Sequence, residues 1–136
     1  MTDSFIVFPI GVIEKPNEKV HIRVYDAFID GLLGIEDFSH INVLYWLHEN
    51  DTVESRNILQ VHPRRNRENP LTGVFATHSP VRPNLIALTL CRILSVSGNR
   101  IEIEAIDARD GSPVIDIKAY IPDSIPPSDI HLPDWV

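Results

Sequence analysis

Apolar and polar residues alternate along several short segments of this chain, and clusters of turn residues separate the segments. Between residues 100 and 106, Ile101 and Ile103 fall on one side of an extended chain, and Glu102 and Glu104 fall on the other. A period of two residues is typical of a strand with one buried and one exposed face. Alternation and apolar content together predict strands over residues 5–13, 19–25, 41–47, 56–61, 86–96, 100–106 and 114–121.

Glycine-containing turns join some of these strands directly. Ser97, Gly98 and Asn99 predict a hairpin, and Asp110 with Gly111 predicts a second tight turn. Many short strands joined by turns in a chain of 136 residues indicate an all-β fold, either a small barrel or a sandwich.

The segments between and after the strands have other patterns. Residues 31–38 have room for a short helical turn, and residues 62–72 are polar and predict a loop. Residues 123–136 contain Pro126, Pro127 and Pro133, so we expect an extended tail, because proline lacks the donor that a central strand needs. We expect one domain over residues 1–136, with its core over about residues 5–122.

The charge balance is acidic. A formal net charge of -7 argues against a broadly basic nucleic-acid-binding surface. One segment departs from this balance, since Arg56, Arg64, Arg65 and Arg67 lie within twelve positions, with His62 among them. This segment is either a solvated loop or a phosphate-binding patch, because arginine matches the geometry of phosphate oxygens.

Cys91 is the single cysteine, so the chain forms no internal disulfide, which is typical of a reducing cytoplasm. Its place in an apolar strand pattern predicts a buried structural thiol. The first residues lack the basic segment of a secretory signal, and no apolar run is long enough to span a bilayer. We therefore expect a cytoplasmic protein with no membrane partner.

Several common active-site motifs are absent from the sequence. The six histidines form no i,i+4 pair, and neither HExxH nor CxxC occurs, so we predict no metal site. The nucleophile elbow, the Walker loop and the glycine-rich dinucleotide fingerprint are also missing.

The segment over residues 73–86 has the pattern of an apolar strand that enters a rigid polar corner. Pro80 and Pro83 each fix φ, and His78, Arg82 and Asn84 lie beside them. A stiff corner holds polar side chains in place with little entropy loss on binding. The alternative is an ordinary connection between two strands.

Two further segments carry candidate binding residues. His48 and Glu49 follow the strand predicted over residues 41–47, and strand ends often carry ligands. Asp107 and Asp110 lie in a turn between two predicted strands. Such a carboxylate-rich turn can bind a ribose diol or a cation, or it can simply be a hairpin turn.

These segments, in this order, resemble the TsaA-like family, also called the TrmO family. The resemblance covers residues 6–122 nearly completely. It is carried by the segments at residues 10–13, 34–40, 73–77, 79–80, 82–84 and 110–120. Each segment is short, and the combination makes the resemblance specific.

The resemblance implies a fold, a cofactor and an activity. The fold is a small β-barrel that works as a homodimer, with short helical turns. The activity is methylation of threonylcarbamoyladenosine next to the anticodon of certain tRNAs, with S-adenosyl-L-methionine as the methyl donor. By resemblance, the donor site comprises His48, Glu49, His78, Leu90, Asp107, Ala108, Arg109 and Asp110. Arg64, Arg65 and Arg67 are the candidate contacts to tRNA.

Other functions remain open at the level of sequence. A donor that is intrinsically reactive does not always need a catalytic base, so we assign no catalytic residue. If a base exists, Asp116 and His78 are the first to test. The same barrel also fits a protein that binds S-adenosylmethionine without methylating tRNA, or a partner-binding barrel without a ligand.

Overall fold

A computed structural model of the chain describes residues 3–123, 125 and 127–136. The chain divides into two compact units. The barrel unit comprises Met1–His48 and Ile86–Tyr120, and the loop unit comprises Glu49–Leu85 and Ile121–Val136. In the described part of the chain, no helix is long and apolar enough to cross a membrane.

Six antiparallel strands close into a barrel, which confirms the all-β prediction. Their order around the barrel is β1-β2-β7-β6-β3-β8, so each strand pairs with two neighbours. A closed barrel exposes no sheet edge of its own, which removes a common route to aggregation. The strands are β1 at Gly11–Glu14, β2 at Val20–Val24, β3 at His40–Trp46, β6 at Ile86–Ser97, β7 at Arg100–Ile103 and β8 at Pro113–Ala119.

The barrel core is made by the inward-facing residues that the alternation predicted. Along β3, buried and half-buried residues alternate, with Ile41, Val43 and Tyr45 pointing inward. Ile101 and Ile103 of β7 are buried as well, whereas Glu104 is exposed. Fully buried side chains on all six strands fill the interior, as is usual for a small barrel. The buried set on these strands is completed by Ile13, Ile22, Val24, Cys91 and Val114.

The connections within the barrel unit are short 3-10 helices and turns. These helices lie at Pro16–Glu18, Asp26–Leu32 and Ile35–Asp37, so the helical turn predicted over residues 31–38 is confirmed as 3-10 structure. The predicted hairpin at residues 97–99 is present, and Gly98 adopts a positive φ of 60° there. Glycine tolerates that backbone conformation because it has no Cβ.

The loop unit has little regular structure. It contains the short helix α1 at Val53–Arg56 and a two-stranded sheet of β4 at Gln60–Val61 and β5 at Thr72–Gly73. Short 3-10 helices lie at Pro63–Arg65 and Val74–Ala76, and another at His48–Asn50 begins at the last residue of the barrel unit's first segment. In the tail, the described residues form no helix or strand. The expectation for Pro126 concerns a residue outside those the structure describes.

Three of the predicted strands are wrong over most of their length. Residues 5–9 pair with no described strand, and Phe5 and Ile6 are about nine-tenths exposed, so only β1 remains of the strand predicted over 5–13. Within residues 56–61, Arg56 ends α1 and only Gln60–Val61 form a strand, β4. The apolar residues after Gly73 form a 3-10 helix instead of a strand. Apolar content alone misled here, because a strand also needs a partner backbone with which to pair.

Candidate functional site

The segment over residues 107–110 connects β7 to β8 at one end of the barrel. Its side chains alternate between core and solvent, since Ile106 and Ala108 are buried whereas Asp107 and Arg109 are exposed. Burial of the two apolar residues fixes the path of the segment. The carboxylate of Asp107 is therefore displayed on a backbone that the core holds in place.

Asp110 has a structural contact of its own. Its Oδ1 accepts a 2.9 Å hydrogen bond from the main-chain nitrogen of Lys15. The neighbouring nitrogen of Gly111 donates to the Ile13 carbonyl at 2.8 Å, and Gly111 has a positive φ of 83°, which confirms the predicted tight turn. One carboxylate oxygen of Asp110 is thus used to join this turn to the end of β1.

The next turn residue strengthens the same connection. Ser112 is buried, and its Oγ donates a 2.7 Å hydrogen bond to the carbonyl of Arg109. The Nζ of Lys15 donates to the Ile106 carbonyl at 3.1 Å, at the start of the segment. The turn is thus held by Lys15, Asp110 and Ser112, and these bonds do not use the carboxylate of Asp107.

Strand pairing brings the end of β3 to the same end of the barrel. Tyr45 is opposite Val114 in the antiparallel β3–β8 pair, so the residues after β3 and the residues before β8 leave the barrel together. His48, which is exposed, is among the former, and residues 107–110 are among the latter. We call this end, defined by His48 and residues 107–110, the Asp107 rim.

The pKa of the buried Tyr45 is affected by the charge of the Asp107 rim. Burial raises the pKa of its phenol, a side-chain hydrogen bond with Thr89 partly opposes that rise, and the negative charge of Asp107 adds to it. The negative charge of Asp107 thus disfavours ionisation of Tyr45. The sequence placed Tyr45 only within the strand predicted over residues 41–47, because its relation to Asp107 depends on the β3–β8 register.

Leu90 lies elsewhere on the barrel. It is opposite Asn42 in the middle of the β6–β3 pair and points outward, with 49% of its surface exposed. Other outward-facing apolar residues of β6 are also exposed, with Leu88 at 61% and Leu94 at 52%. We call the outward-facing side chains of Ile86, Leu88, Leu90 and Leu94 the β6 apolar face.

Glu49 and His78 belong to the loop unit, and His78 is exposed in the predicted corner. Hydrogen bonds hold this corner in addition to its prolines. Nη1 of Arg82 donates to the carbonyls of Thr77 and Ser79, at 3.3 and 3.1 Å. Arg82 therefore organises the corner from within. The sequence marked Arg82 as a polar corner residue without indicating this role.

The arginine-rich segment forms a loop that is closed on itself. His62 Nδ1 lies 2.9 Å from the Asn69 carbonyl, and Nδ2 of Asn69 donates to the Pro63 carbonyl at 2.8 Å. Arg64 and Arg65 both have positive φ, at 58° and 57°, which is uncommon for residues with a Cβ. We call residues 62–70 the basic loop.

The arginines of the basic loop point into solvent. Arg64, Arg65 and Arg67 are exposed, and none of them forms an ion pair with any residue that the structure describes. A loop closed by hydrogen bonds thus presents three cations on a constrained backbone.

Cys91 is buried in the barrel, which confirms the prediction of a structural thiol. Burial raises its pKa to about 11, so the thiol stays protonated at neutral pH. A protonated, enclosed thiol is a poor nucleophile. In the part of the chain that the structure covers, no group of three or more His, Cys, Asp or Glu side chains is arranged to hold a metal ion.

Comparison with known proteins gives a consistent set of relatives. A protein of Methanocaldococcus jannaschii named "Probable S-adenosyl-L-methionine-binding protein" is 46% identical over 112 residues, which are 82% of this chain and 89% of that protein. A mouse protein named "tRNA (adenine(37)-N6)-methyltransferase" is 38% identical over 114 residues, which are 84% of this chain but 26% of the mouse protein.

Solved structures resemble the chain over nearly its whole length. The crystal structure of TrmO from Pseudomonas aeruginosa matches with a TM-score of 0.74 and 25% identity, over 99% of this chain and 63% of that one. The chain thus spans less than two thirds of the solved TrmO chain and about a quarter of the mouse protein.

The family model described as the tRNA-methyltransferase O N-terminal domain matches residues 7–124. That range includes all six barrel strands, the corner and the basic loop. This chain belongs to the tRNA-methyltransferase O N-terminal domain family.

Proposed function

We propose that this protein binds S-adenosyl-L-methionine and transfers its methyl group to N6 of adenine 37 in tRNA, with threonylcarbamoyladenosine as the acceptor. The observation that carries the proposal is the family match over residues 7–124. The names of two relatives support it, since one names S-adenosylmethionine binding and the other names methylation of this tRNA position.

The Asp107 rim fits such a donor chemically. S-adenosylmethionine has two ribose hydroxyls that donate hydrogen bonds and a sulfonium that carries positive charge. The exposed carboxylate of Asp107 can accept from the hydroxyls or lie near the cation. Buried Ala108 holds the main chain beside it, and Asp110 is partly committed to Lys15. We infer that Asp107 contributes more to donor affinity than Asp110 does.

The role of this chain in catalysis is mainly one of alignment. When bound, S-adenosylmethionine supplies an electrophilic methyl group for an in-line displacement. The protein residues bind the two partners, orient them and exclude water. Neither candidate base has surroundings that mark it as one. Asp116 is exposed on β8 with its Oδ1 accepting from the Ile117 nitrogen, and His78 is exposed in the corner.

We infer that a second copy of this chain covers the β6 apolar face. Single exposed leucines are ordinary on a protein surface, but an exposed row along one strand marks a contact surface. Leu88 and Leu94 are more than half exposed, and Leu90 and the exposed Arg92 lie between them. A second copy on this face would also remove Leu90, one of the candidate donor residues, from water.

We infer that the basic loop contacts the phosphates of tRNA. Its three exposed arginines have no ion-pair partner among the described residues, and the closed backbone lowers the entropy lost on binding. Arginine binds phosphate oxygens through two parallel hydrogen bonds. An RNA contact limited to this loop is compatible with a net charge of -7.

Isothermal calorimetry with S-adenosylmethionine tests donor binding directly. We expect saturable heat with the wild-type protein and a tenfold or greater loss of affinity in Asp107→Asn, since a hydrogen bond to a charged group contributes about 1.5–3 kcal/mol. Asp129→Asn is the matched control, because it removes an exposed carboxylate outside the family match. Absence of heat at millimolar donor would reject the proposal.

Transfer to RNA needs a separate assay. Labelled donor is incubated with tRNA that carries or lacks the threonylcarbamoyl group, and we expect label only in the modified tRNA. Replacing Arg64, Arg65 and Arg67 with alanine should reduce tRNA affinity and make the slope of log K against log salt shallower, by about 1 for each phosphate that is no longer bound. An unchanged slope would remove the basic loop from the interface.

A second candidate is a protein that binds S-adenosylmethionine without methylating tRNA. The acidic net charge and the name of the archaeal relative favour it. Heat on donor addition together with no label in either tRNA would select this candidate over the methyltransferase.

A further inference from the structure

A concave surface in the loop unit combines the end of the basic loop with three residues of the tail. It has a volume of about 450 Å³ and is lined by Glu68, Asn69, Pro70, Pro133, Asp134 and Trp135. That volume falls within the range of small-ligand sites. Residues 133–135 lie beyond the family match, which ends at residue 124, so the surface is not made by the family domain alone. We call it the Trp135 cleft.

The side chains that line the cleft favour a positively charged ligand. Glu68 and Asp134 are exposed, and their carboxylates form no ion pair with any residue in the described part of the chain. Trp135, which is half-buried, adds an indole ring, the side chain that attracts cations most strongly through its π face. The same two carboxylates repel phosphate, so the cleft is unsuited to the RNA backbone.

Both walls of the cleft are held by their own hydrogen bonds. On one side, Nδ2 of Asn69 donates to the Pro63 carbonyl, and the Glu68 nitrogen donates to Oδ1 of Asn66 at 3.0 Å. On the other side, the Val136 nitrogen donates to the Pro133 carbonyl at 3.2 Å, which closes a turn around Trp135. A site formed by two closed turns loses little conformational entropy when it is filled.

We propose that the Trp135 cleft binds a guanidinium group, with the flat cation against the indole and its N–H groups donating to the carboxylates of Glu68 and Asp134. Guanidinium is planar, stacks on aromatic rings and is more weakly hydrated than ammonium, which suits a cleft with one indole and two proline rings. The cation comes either from a free small molecule or from an arginine side chain of a peptide.

Fluorescence of Trp135 measures this binding. Trp46 is the other tryptophan, so the titrations use the full chain with Trp46→Phe, in which Trp135 is the only source of indole emission. Arginine amide is the free probe, an arginine-containing peptide is the second arm, and citrulline amide is the control of similar shape with an uncharged side chain. We expect saturable change with arginine amide at a dissociation constant on the order of 1 mM.

Variants separate binding from a general effect of charge. Glu68→Gln and Asp134→Asn should each weaken the binding of arginine amide about threefold, which corresponds to an exposed ion pair, and the control Asp129→Asn should not. Raising the salt concentration should weaken binding to the wild-type cleft, because exposed charges are screened.

The two probes have distinct outcomes. Tighter binding of the peptide than of arginine amide assigns the cleft to a protein partner, and equal binding assigns it to a free cation. An equal response to citrulline amide and arginine amide, or no loss of affinity in Glu68→Gln and Asp134→Asn, overturns the proposal. Donor binding at the Asp107 rim is measured separately, so either proposal can fail without the other.

Discussion

The main-chain nitrogen of Lys15 donates a 2.9 Å hydrogen bond to Oδ1 of Asp110, a residue 95 positions further along the chain. The bond joins the end of β1 to the turn that precedes β8, next to the β1–β8 strand pair. Asp110 therefore stabilises the backbone of the Asp107 rim, whereas the carboxylate of Asp107 is exposed on that backbone.

This division between the two aspartates predicts different effects of substitution. Asp110→Ala should lower the free energy of unfolding by about 1 kcal/mol, since it removes an exposed hydrogen bond to the main chain. Asp110→Asn should cost less, because its amide oxygen can still accept from Lys15. Urea denaturation of the two variants checks this order, and equal losses of stability would contradict the assigned role of the bond.

Gly11 of β1 should tolerate no side chain. A Cβ there would lie 2.5 Å from the main-chain oxygen of Arg23 in the paired strand β2, and backbone atoms cannot move aside easily. We expect Gly11→Ala to lower the free energy of unfolding by about 1–3 kcal/mol, the range typical of overpacked cores. Gly31→Ala is the control, since a Cβ at Gly31 meets no described atom within 4 Å. Similar stability of the two variants would show that β1 moves away from β2 to make room for the added Cβ.

Because the pKa of Cys91 is raised, we expect the free energy of unfolding to fall at high pH. Burial raises the pKa of its thiol from 9.0 to about 11, so the folded chain keeps this proton more tightly than the unfolded chain does. The stabilising effect is fully present below pH 9 and is lost as pH rises towards 11, by about 2 kcal/mol. Urea denaturation at pH values of about 8.5 and 10.5, on either side of the unfolded thiol's pKa, measures the loss.

Cys91→Ala is the control for this pH effect. Tyr45, whose pKa is also raised, contributes in the same direction in both proteins. We therefore expect a smaller decline in the variant than in the wild type. Parallel declines would indicate that Cys91 ionises as readily in the folded chain as in the unfolded one.

We expect the protein to self-associate through the β6 apolar face. Leu88→Asp places a charge where a second copy would pack, and loss of the buried leucine from both copies should weaken self-association roughly hundredfold or more. Because Leu88 is 61% exposed, the folded barrel should keep its circular dichroism spectrum. Sedimentation velocity measures the association.

Val53→Asp is the matched control, since Val53 is 76% exposed and belongs to the loop unit rather than to β6. It should sediment as the wild type does. A wild-type protein that sediments as a monomer at every concentration tested would contradict the assignment of this face to a second copy.

Local patterns predicted much of the barrel. Alternation around Ile22 and Ile101 located β2 and β7, because a period of two residues is a property of one strand and needs no knowledge of its neighbours. The turns at Gly98 and Gly111 were predictable for a similar reason, since both positions adopt a positive φ that glycine permits. The segments that failed, such as residues 5–9, are apolar without having a partner strand among the described residues.

The candidate site was predicted only in part. The resemblance named His48 and Asp107, and the β3–β8 register brings the segments that carry them to one end of the barrel. Leu90 points outward from the middle of β6, which alternation alone does not place relative to that end. The interaction of Tyr45 with Thr89 and Asp107 was not predictable, because it depends on strands and a loop that are distant in sequence.

The sequence by itself determined the class of fold and the family, and it supplied the residues that we propose bind a methyl donor and phosphate. Those properties can be read from short segments, because strand alternation, turn residues and residue type depend only on neighbouring positions in the sequence. Only the tertiary structure decided that Asp110 braces the end of β1, that Arg82 holds its own corner and that Trp135 shares a cleft with Glu68. Each of these relationships joins residues through strand register or loop closure, which no local pattern encodes.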